Sequence, residues 1–123
     1  MLIVDDEPLV RSVLRRILEP HHEVVELGSG ADAQRLLVND RAFDLIWCDV
    51  TMPNVTGQEL YEWLAARDPQ AAERVVFVTG GTFTSRAHAF LAQVANPKLE
   101  KPFDVHTVRE LVDTLLADRP PRS

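Results

Sequence analysis

The chain has 123 residues, 46% of them hydrophobic and 26% charged, with a formal net charge of -6. That is the size and composition of one soluble globular domain with a substantial core, which excludes a disordered chain and argues against a second domain. The acidic balance without a dense Lys/Arg run excludes a direct nucleic-acid footprint, and no apolar run approaches the roughly 18 to 20 residues that span a bilayer.

Residues 1–4 read as an apolar strand that runs straight into Asp5, Asp6 and Glu7. A strand opening so early is the pattern of a domain excised from a longer protein. Pro8 suits the first turn of a helix, where its missing N–H costs nothing. Leu9, Val10, Val13, Leu14, Ile17 and Leu18 then repeat at helical spacing, opposite Arg11, Ser12, Arg15, Arg16 and Glu19, and the helix stops near Pro20. Residues 23–27 predict a second strand, and Gly28-Ser29-Gly30 turns the chain into a helix with Ser29 and Asp32 at capping distance and Ala33, Leu36 and Leu37 facing inward.

Residues 43–49 are the centre of the pattern. Leu45, Ile46, Trp47 and Cys48 leave no polar face, as a strand covered on both sides requires, and the run stops on Asp49. Cys48 is the only cysteine; it reads as a packed thiol, makes an internal disulfide impossible and favours a cytoplasmic setting. After a loop over residues 50–56, Thr56 and Glu59 predict a capping box and a helix to about Arg67, with Leu60, Trp63 and Leu64 inward and Pro69 as its stop. Residues 75–79 form another wholly apolar strand ending on Thr79, followed by Gly80-Gly81 and a helix with Phe83, Ala87, Phe90, Leu91 and Val94 on one side. A brief strand at 98–100 leads to Lys101-Pro102; Asp104 caps a last helix that buries Val108, Leu111, Val112 and Leu115. The domain spans residues 1–117, and 118–123 are a tail or the start of a linker.

Five strands alternating with five helices predict an α/β fold, a doubly wound parallel sheet whose strands' carboxyl ends share one edge. Asp5, Asp6, Asp49, Thr79 and Lys101 then meet in the crevice where such sheets hold ligands. Singly, each has a plain structural reading: Asp6 a helix cap, Asp49 a solvated acid, Thr79 a strand former, Lys101 a surface charge. Together, three carboxylates repel one another unless a cation intervenes. An all-oxygen donor set without His or Cys suits Mg2+. Asp49 is then the nucleophile of an aspartyl-phosphate, Lys101 a point charge on phosphate oxygens and Thr79 a hydroxyl donor.

With these residues in view, the chain resembles, over essentially its whole length, the receiver domain of two-component response regulators. The motifs that carry the likeness are Asp5-Asp6, Asp49 followed by Met52-Pro53 and Gly57, Thr79, and Lys101-Pro102-Phe103. The resemblance implies a flavodoxin-like sheet in the order 2-1-3-4-5 and a cis peptide before Pro102. It implies a histidine kinase or histidine phosphotransfer partner donating phosphoryl to Asp49. It further implies Asp6 as a direct Mg2+ ligand, Asp5 acting through water, the Thr51 carbonyl completing the metal site, and a face of the helix before the fifth strand, that strand and the last helix for a homodimer or an output domain. The short stretch 96–100 is similar to receivers fused to hybrid histidine kinases.

One position departs from the pattern. Many receivers carry an aromatic residue three positions before the lysine; here it is Lys98, which shifts the expected readout toward the segment from Gly80-Gly81 to Phe83. The alternatives are a pseudo-receiver that binds partners without phosphorylation, and a flavodoxin-like FMN carrier, whose phosphate Asp5-Asp6-Glu7 would repel. His21, His22, His88 and His106 form no predicted metal site. The first helix, through Leu9, Val10, Leu14, Arg11 and Arg15, is the expected docking face for the partner.

Overall fold

The computed structural model describes residues 1–80 and 84–117. Five strands, β1 (Leu2–Val4), β2 (Val25–Leu27), β3 (Ile46–Asp49), β4 (Val75–Thr79) and β5 (Lys98–Glu100), pair in parallel in the order β2-β1-β3-β4-β5. The helices are α1 (Pro8–Leu18), α2 (Gly30–Asn39), α3 (Gly57–Arg67), α4 (Pro69–Ala72), α5 (Ser85–Gln93) and α6 (Val105–Ala117). This is the flavodoxin-like order that the receiver resemblance implies. No helix among the described residues is long and apolar enough to cross a membrane.

Side chains alternate across the sheet and so divide the core in two. Leu2, Val4, Ile46, Cys48, Val75 and Phe77 pack beneath α2, α3 and α5 against Ala33, Leu37, Leu60, Leu64 and Phe90. Ile3, Trp47, Val76, Val78 and Leu99 pack on the other face beneath α1 and α6, against Leu14, Ile17, Leu18, Val108 and Val112. The central strands are therefore apolar on both faces, which is why β3 and β4 lack polar alternation. Tyr61 of α3, Phe77 of β4 and Phe90 of α5 form a three-ring cluster with centroids 5.3 to 5.6 Å apart, fixing those helices to the central sheet.

The caps act where their spacing predicts. Ser29 accepts from Asp32 N–H, Thr56 and Glu59 close a reciprocal capping box, and Asp104 accepts from Thr107 N–H. The sequence predicts five helices, and the described residues form six. Asp68, at the end of α3, accepts the Ala71 N–H at 3.1 Å, so Pro69 opens the one-turn α4 as well as stopping α3. β2 is shorter than predicted because its partner β1 starts at Leu2, which pairs with Val25. β3 is shorter because its ladder begins at Ile46, although Phe43 and Leu45 are buried. On α1, Leu14, Ile17 and Leu18 are buried, whereas Leu9 and Val13 are 74% and 38% exposed, one position off the stripe that meets the sheet. Phe83 and the tail at 118–123 lie outside the described residues.

One glycine sets the depth of the edge where the loops meet. Gly57 N–H donates to the Val50 carbonyl at 3.0 Å, and a Cβ at position 57 would overlap the Asp49 carbonyl oxygen and lie 2.8 Å from Val50 Cα. Both obstacles are backbone and have little room to yield. Gly57→Ala should therefore lower the unfolding free energy by about 2 kcal/mol or more, measured by urea denaturation; an unchanged midpoint would show that the close approach carries no strain.

Candidate functional site

Parallel strands bring their carboxyl ends to one edge, and the residues that follow β1, β3, β4 and β5 meet there. Carboxylate oxygens of Asp5, Asp6 and Asp49 lie within 4.8 Å of one another. Asp5 and Asp49 are each only 1% exposed, whereas Asp6 is exposed at the rim. Local bonds aim the buried pair: Asp5 Oδ1 accepts the Glu7 N–H at 2.9 Å and Asp49 Oδ1 accepts the Thr51 N–H at 3.2 Å. The second oxygen of each, Oδ2, is also buried; that of Asp49 has no hydrogen-bond partner, and that of Asp5 meets only the Lys101 ammonium.

Lys101 reaches into this cluster from the end of β5. Its Nζ lies 3.4 Å from Asp5 Oδ2, 3.8 Å from Asp49 Oδ1 and 3.3 Å from Glu7 Oε1. The Lys101-Pro102 peptide is cis, as the resemblance implies. The Lys101 N–H donates to the Thr79 carbonyl at 2.7 Å, which holds the backbone from which the side chain reaches in. Its aliphatic stem passes over Gly80, where a Cβ would come within 3.0 Å of Lys101 Cδ. Thr79, buried at the end of β4, pairs in register with Glu100 beside it.

Asp5, Asp6, Asp49 and Lys101 are thus brought together, Thr79 stands at the same edge as the last residue of β4, and Thr51 lies two residues beyond Asp49 with its N–H turned to that carboxylate. The cap reading of Asp6 fails, because the N-cap of α1 is Glu7, which makes no side-chain cap bond. Glu7 itself is a site residue that the sequence reading passed over; the uninterrupted run Asp5-Asp6-Glu7 at a strand end was the available signal. Cys48 is the packed thiol expected: it is buried, and burial pushes its thiol above the ordinary range. Among the described residues the three aspartates are the one group arranged to hold a metal ion, and no histidine joins it.

The family model for the response regulator receiver domain matches residues 1–113. The chain belongs to that family. A protein-glutamate methylesterase/protein-glutamine glutaminase of Shewanella sp. (strain MR-7) is 30% identical over 118 residues, covering 91% of this chain and 34% of the relative. The receiver therefore spans about a third of that relative's length. The signal receiver domain of a signal transduction histidine kinase from Syntrophus aciditrophicus superimposes with a TM-score of 0.82 at 28% identity, covering 99% of this chain and 94% of that one. The receiver domain of sensor histidine kinase PA1611 from Pseudomonas aeruginosa, solved with a magnesium ion coordinated in its active-site cleft, gives a TM-score of 0.82 at 20% identity, over 95% and 96% of the two chains. Receivers of this family work with histidine kinases and with output domains.

In this receiver the departure at Lys98 has a defined local role. Its ammonium donates to the Val94 and Asn96 carbonyls at 3.0 and 2.8 Å, binding the backbone where α5 ends. The segment at 81–83, part of the alternative readout route expected from the sequence, lies outside the described residues.

The electrostatics of the cluster are unfavourable without a counter-ion. Burial, then the neighbouring Asp5 charge, push the Asp49 carboxyl from 3.8 up to about 7, against the opposing pull of Lys101. Burial also raises Asp5. Burial alone would lower Lys101, but Asp49, Asp5 and Glu7 outweigh it and hold the ammonium above its ordinary value. Between the ordinary and raised Asp49 values the folded chain retains a proton that the unfolded chain has released, so the ion-free receiver should lose stability as pH rises through that window. Asp49→Asn removes the effect: urea denaturation should give a gain on the order of 2 kcal/mol at pH 8 and little at pH 4. Equal gains at both pH values would contradict the raised carboxyl.

Proposed function

We propose that this domain is a phosphoacceptor, taking a phosphoryl group on Asp49 from a partner histidine kinase or histidine phosphotransfer domain and changing conformation in response. The observation that carries the reading is the convergence of three carboxylates and the Lys101 ammonium at one partly buried edge. Asp49 Oδ2 is buried without a hydrogen-bond partner and Asp5 Oδ2 meets only the Lys101 ammonium, at 3.4 Å; this all-oxygen set fits a small hard divalent cation, so Mg2+ is the cofactor proposed. Asp6 and Asp49 would hold it directly, with Asp5 acting through water and the Thr51 carbonyl completing the set. When bound, the cation offsets the clustered negative charge and screens the incoming phosphoryl oxygens.

The chain's own residues supply the remaining steps. The Thr51 N–H orients the Asp49 carboxylate. An Asp49 oxygen attacks phosphorus; the new O–P bond forms as the P–N bond of the phosphohistidine breaks, and its electron pair returns to the imidazole. Lys101, already facing Asp49, takes up phosphoryl oxygens as a point charge, and the Thr79 hydroxyl donates to another. The reaction is stoichiometric group transfer to the domain, so the chain acts as a signalling module rather than as an enzyme with a separate substrate. The intact acidic cluster speaks against a pseudo-receiver. A cytoplasmic setting, a domain spanning 1–117 and a tail or linker at 118–123 belong to the same proposal, as does a homodimer or output contact on the α5, β5 and α6 face. So does membership of a hybrid kinase, which the 28% identical histidine-kinase receiver supports.

Incubation with Mg2+ and acetyl phosphate should add the mass of one phosphoryl group, lost on mild alkali treatment, and chelation of the cation should abolish labelling. Asp49→Asn should remain unlabelled. Labelling of that variant to the same extent, or labelling indifferent to chelation, would refute the proposal. With beryllofluoride, amide shifts should change around Thr79 and across α5; a spectrum altered only at Asp49 and its immediate neighbours would refute the conformational part.

A further inference from the structure

The α1 arginines, expected from the sequence to meet a partner, are largely engaged within the chain. Arg11 Nη1 donates to the Asp5 backbone carbonyl at 2.7 Å, while its Nε bonds Glu26 Oε1 of β2 at 3.2 Å. The other Glu26 oxygen accepts from Arg15 Nη1 at 2.8 Å, and Arg15 Nε is held in turn by Glu19 at 2.6 Å. Arg15 and Arg11 together keep the Glu26 carboxyl below its ordinary value. The result is a chain of charge-assisted bonds, Glu19 to Arg15 to Glu26 to Arg11, that ends on a backbone oxygen at the acidic site.

That oxygen belongs to the peptide joining Asp5 to Asp6. The same short segment is held from two other directions, since Asp5 N–H donates to the Leu27 carbonyl and Glu7 N–H to Asp5 Oδ1. The Arg11 bond fixes the remaining freedom, the tilt of the Asp5–Asp6 peptide plane, and so the direction in which Asp6 leaves the strand end. Asp6 is exposed, and it is Glu7 rather than Asp6 that takes the N-cap position of α1. The contact that Arg11 makes with the site is to the backbone, at the Asp5 carbonyl, whereas the side-chain charges beside Asp5 and Asp49 are those of Lys101 and Glu7.

We infer that Arg11, braced by Glu26, is a positioning residue that sets the Asp5–Asp6 peptide and thereby the cation affinity of the acidic cluster. The inference rests on the reading of that cluster as a Mg2+ site. A guanidinium can bond a carboxylate and a carbonyl at once in a fixed fork, whereas a lysine ammonium in its place keeps the charge and loses the fork.

Three variants test it in the full chain, Arg11→Met, Arg11→Lys and Glu26→Gln, each checked for parental far-UV circular dichroism. Mg2+ titration followed by amide shifts should show affinity falling about 10-fold in both Arg11 variants, and by less in Glu26→Gln, which removes the brace but leaves Arg11. Without Mg2+, the Asp6 amide resonance should move in both Arg11 variants. Labelling at subsaturating Mg2+ should slow equally with acetyl phosphate and with a phosphorylated histidine donor. Parental Mg2+ affinity in Arg11→Met, full rescue by Arg11→Lys, an unmoved Asp6 amide, or slowing confined to the histidine donor would each overturn the inference. A parental chain that binds no Mg2+ would overturn the underlying site reading; variants that match a Mg2+-binding parent would overturn the positioning role alone.

Discussion

Two carboxylates are buried at the end of an apolar sheet, and the ammonium that reaches both is shared with a third acid. Burying like charges together is costly, and part of the cost is met by raising their affinity for protons. The rest of the molecule can be read as what makes this arrangement possible. The doubly packed strands carry the two aspartates, the backbone donors at Glu7 and Thr51 take one oxygen from each, the second oxygen of Asp5 faces Lys101, and that of Asp49 has no hydrogen-bond partner. A cluster of this kind is stabilised by a ligand that brings positive charge, and so stability and function are coupled at one edge.

Much of the fold could be read from the sequence because its signals were local. The uninterrupted apolar runs of β3 and β4 marked strands covered on two faces, and Ser29, Thr56 and Asp104 marked helix starts through bonds spanning three residues. Once the strands were assigned, the parallel topology gathered Asp5, Asp6, Asp49, Thr79 and Lys101 without further information. The readings that failed concerned choices settled elsewhere in the structure. Asp68 and Pro69 could end one helix, begin another, or do both, and the Ala71 N–H decided it. Leu9 and Val13 fit a helical repeat, but only the sheet beneath determines which part of the repeat is covered.

The site was readable in membership rather than in connectivity. Sequence placed Lys101 at the edge and Glu7 in the acidic run beside it, but not the bond by which Glu7 shares the Lys101 ammonium. It placed Arg11 on the polar side of α1 without naming a partner for it within the chain. A glutamate from β2, fifteen residues away, turns the guanidinium toward the backbone of Asp5. Lys98 was noticed for what it replaces, while its bonds to the carbonyls beyond α5 required coordinates. Long flexible cations find their partners through tertiary geometry, which a single sequence does not encode in any short window.

The bond from Gly57 to the Val50 carbonyl closes the neck of the loop that separates β3 from α3. Inside the neck, Met52 is buried and helps to seal the sheet end, while Pro53 and Asn54 stand in solvent, with Asn54 in a left-handed backbone conformation at φ 67°. A pinched base insulates the chemistry from its own rim. Exchanges at that outer bend alter the exposed surface above the neck, while the Asp49 carboxylate below keeps the Thr51 N–H that aims it.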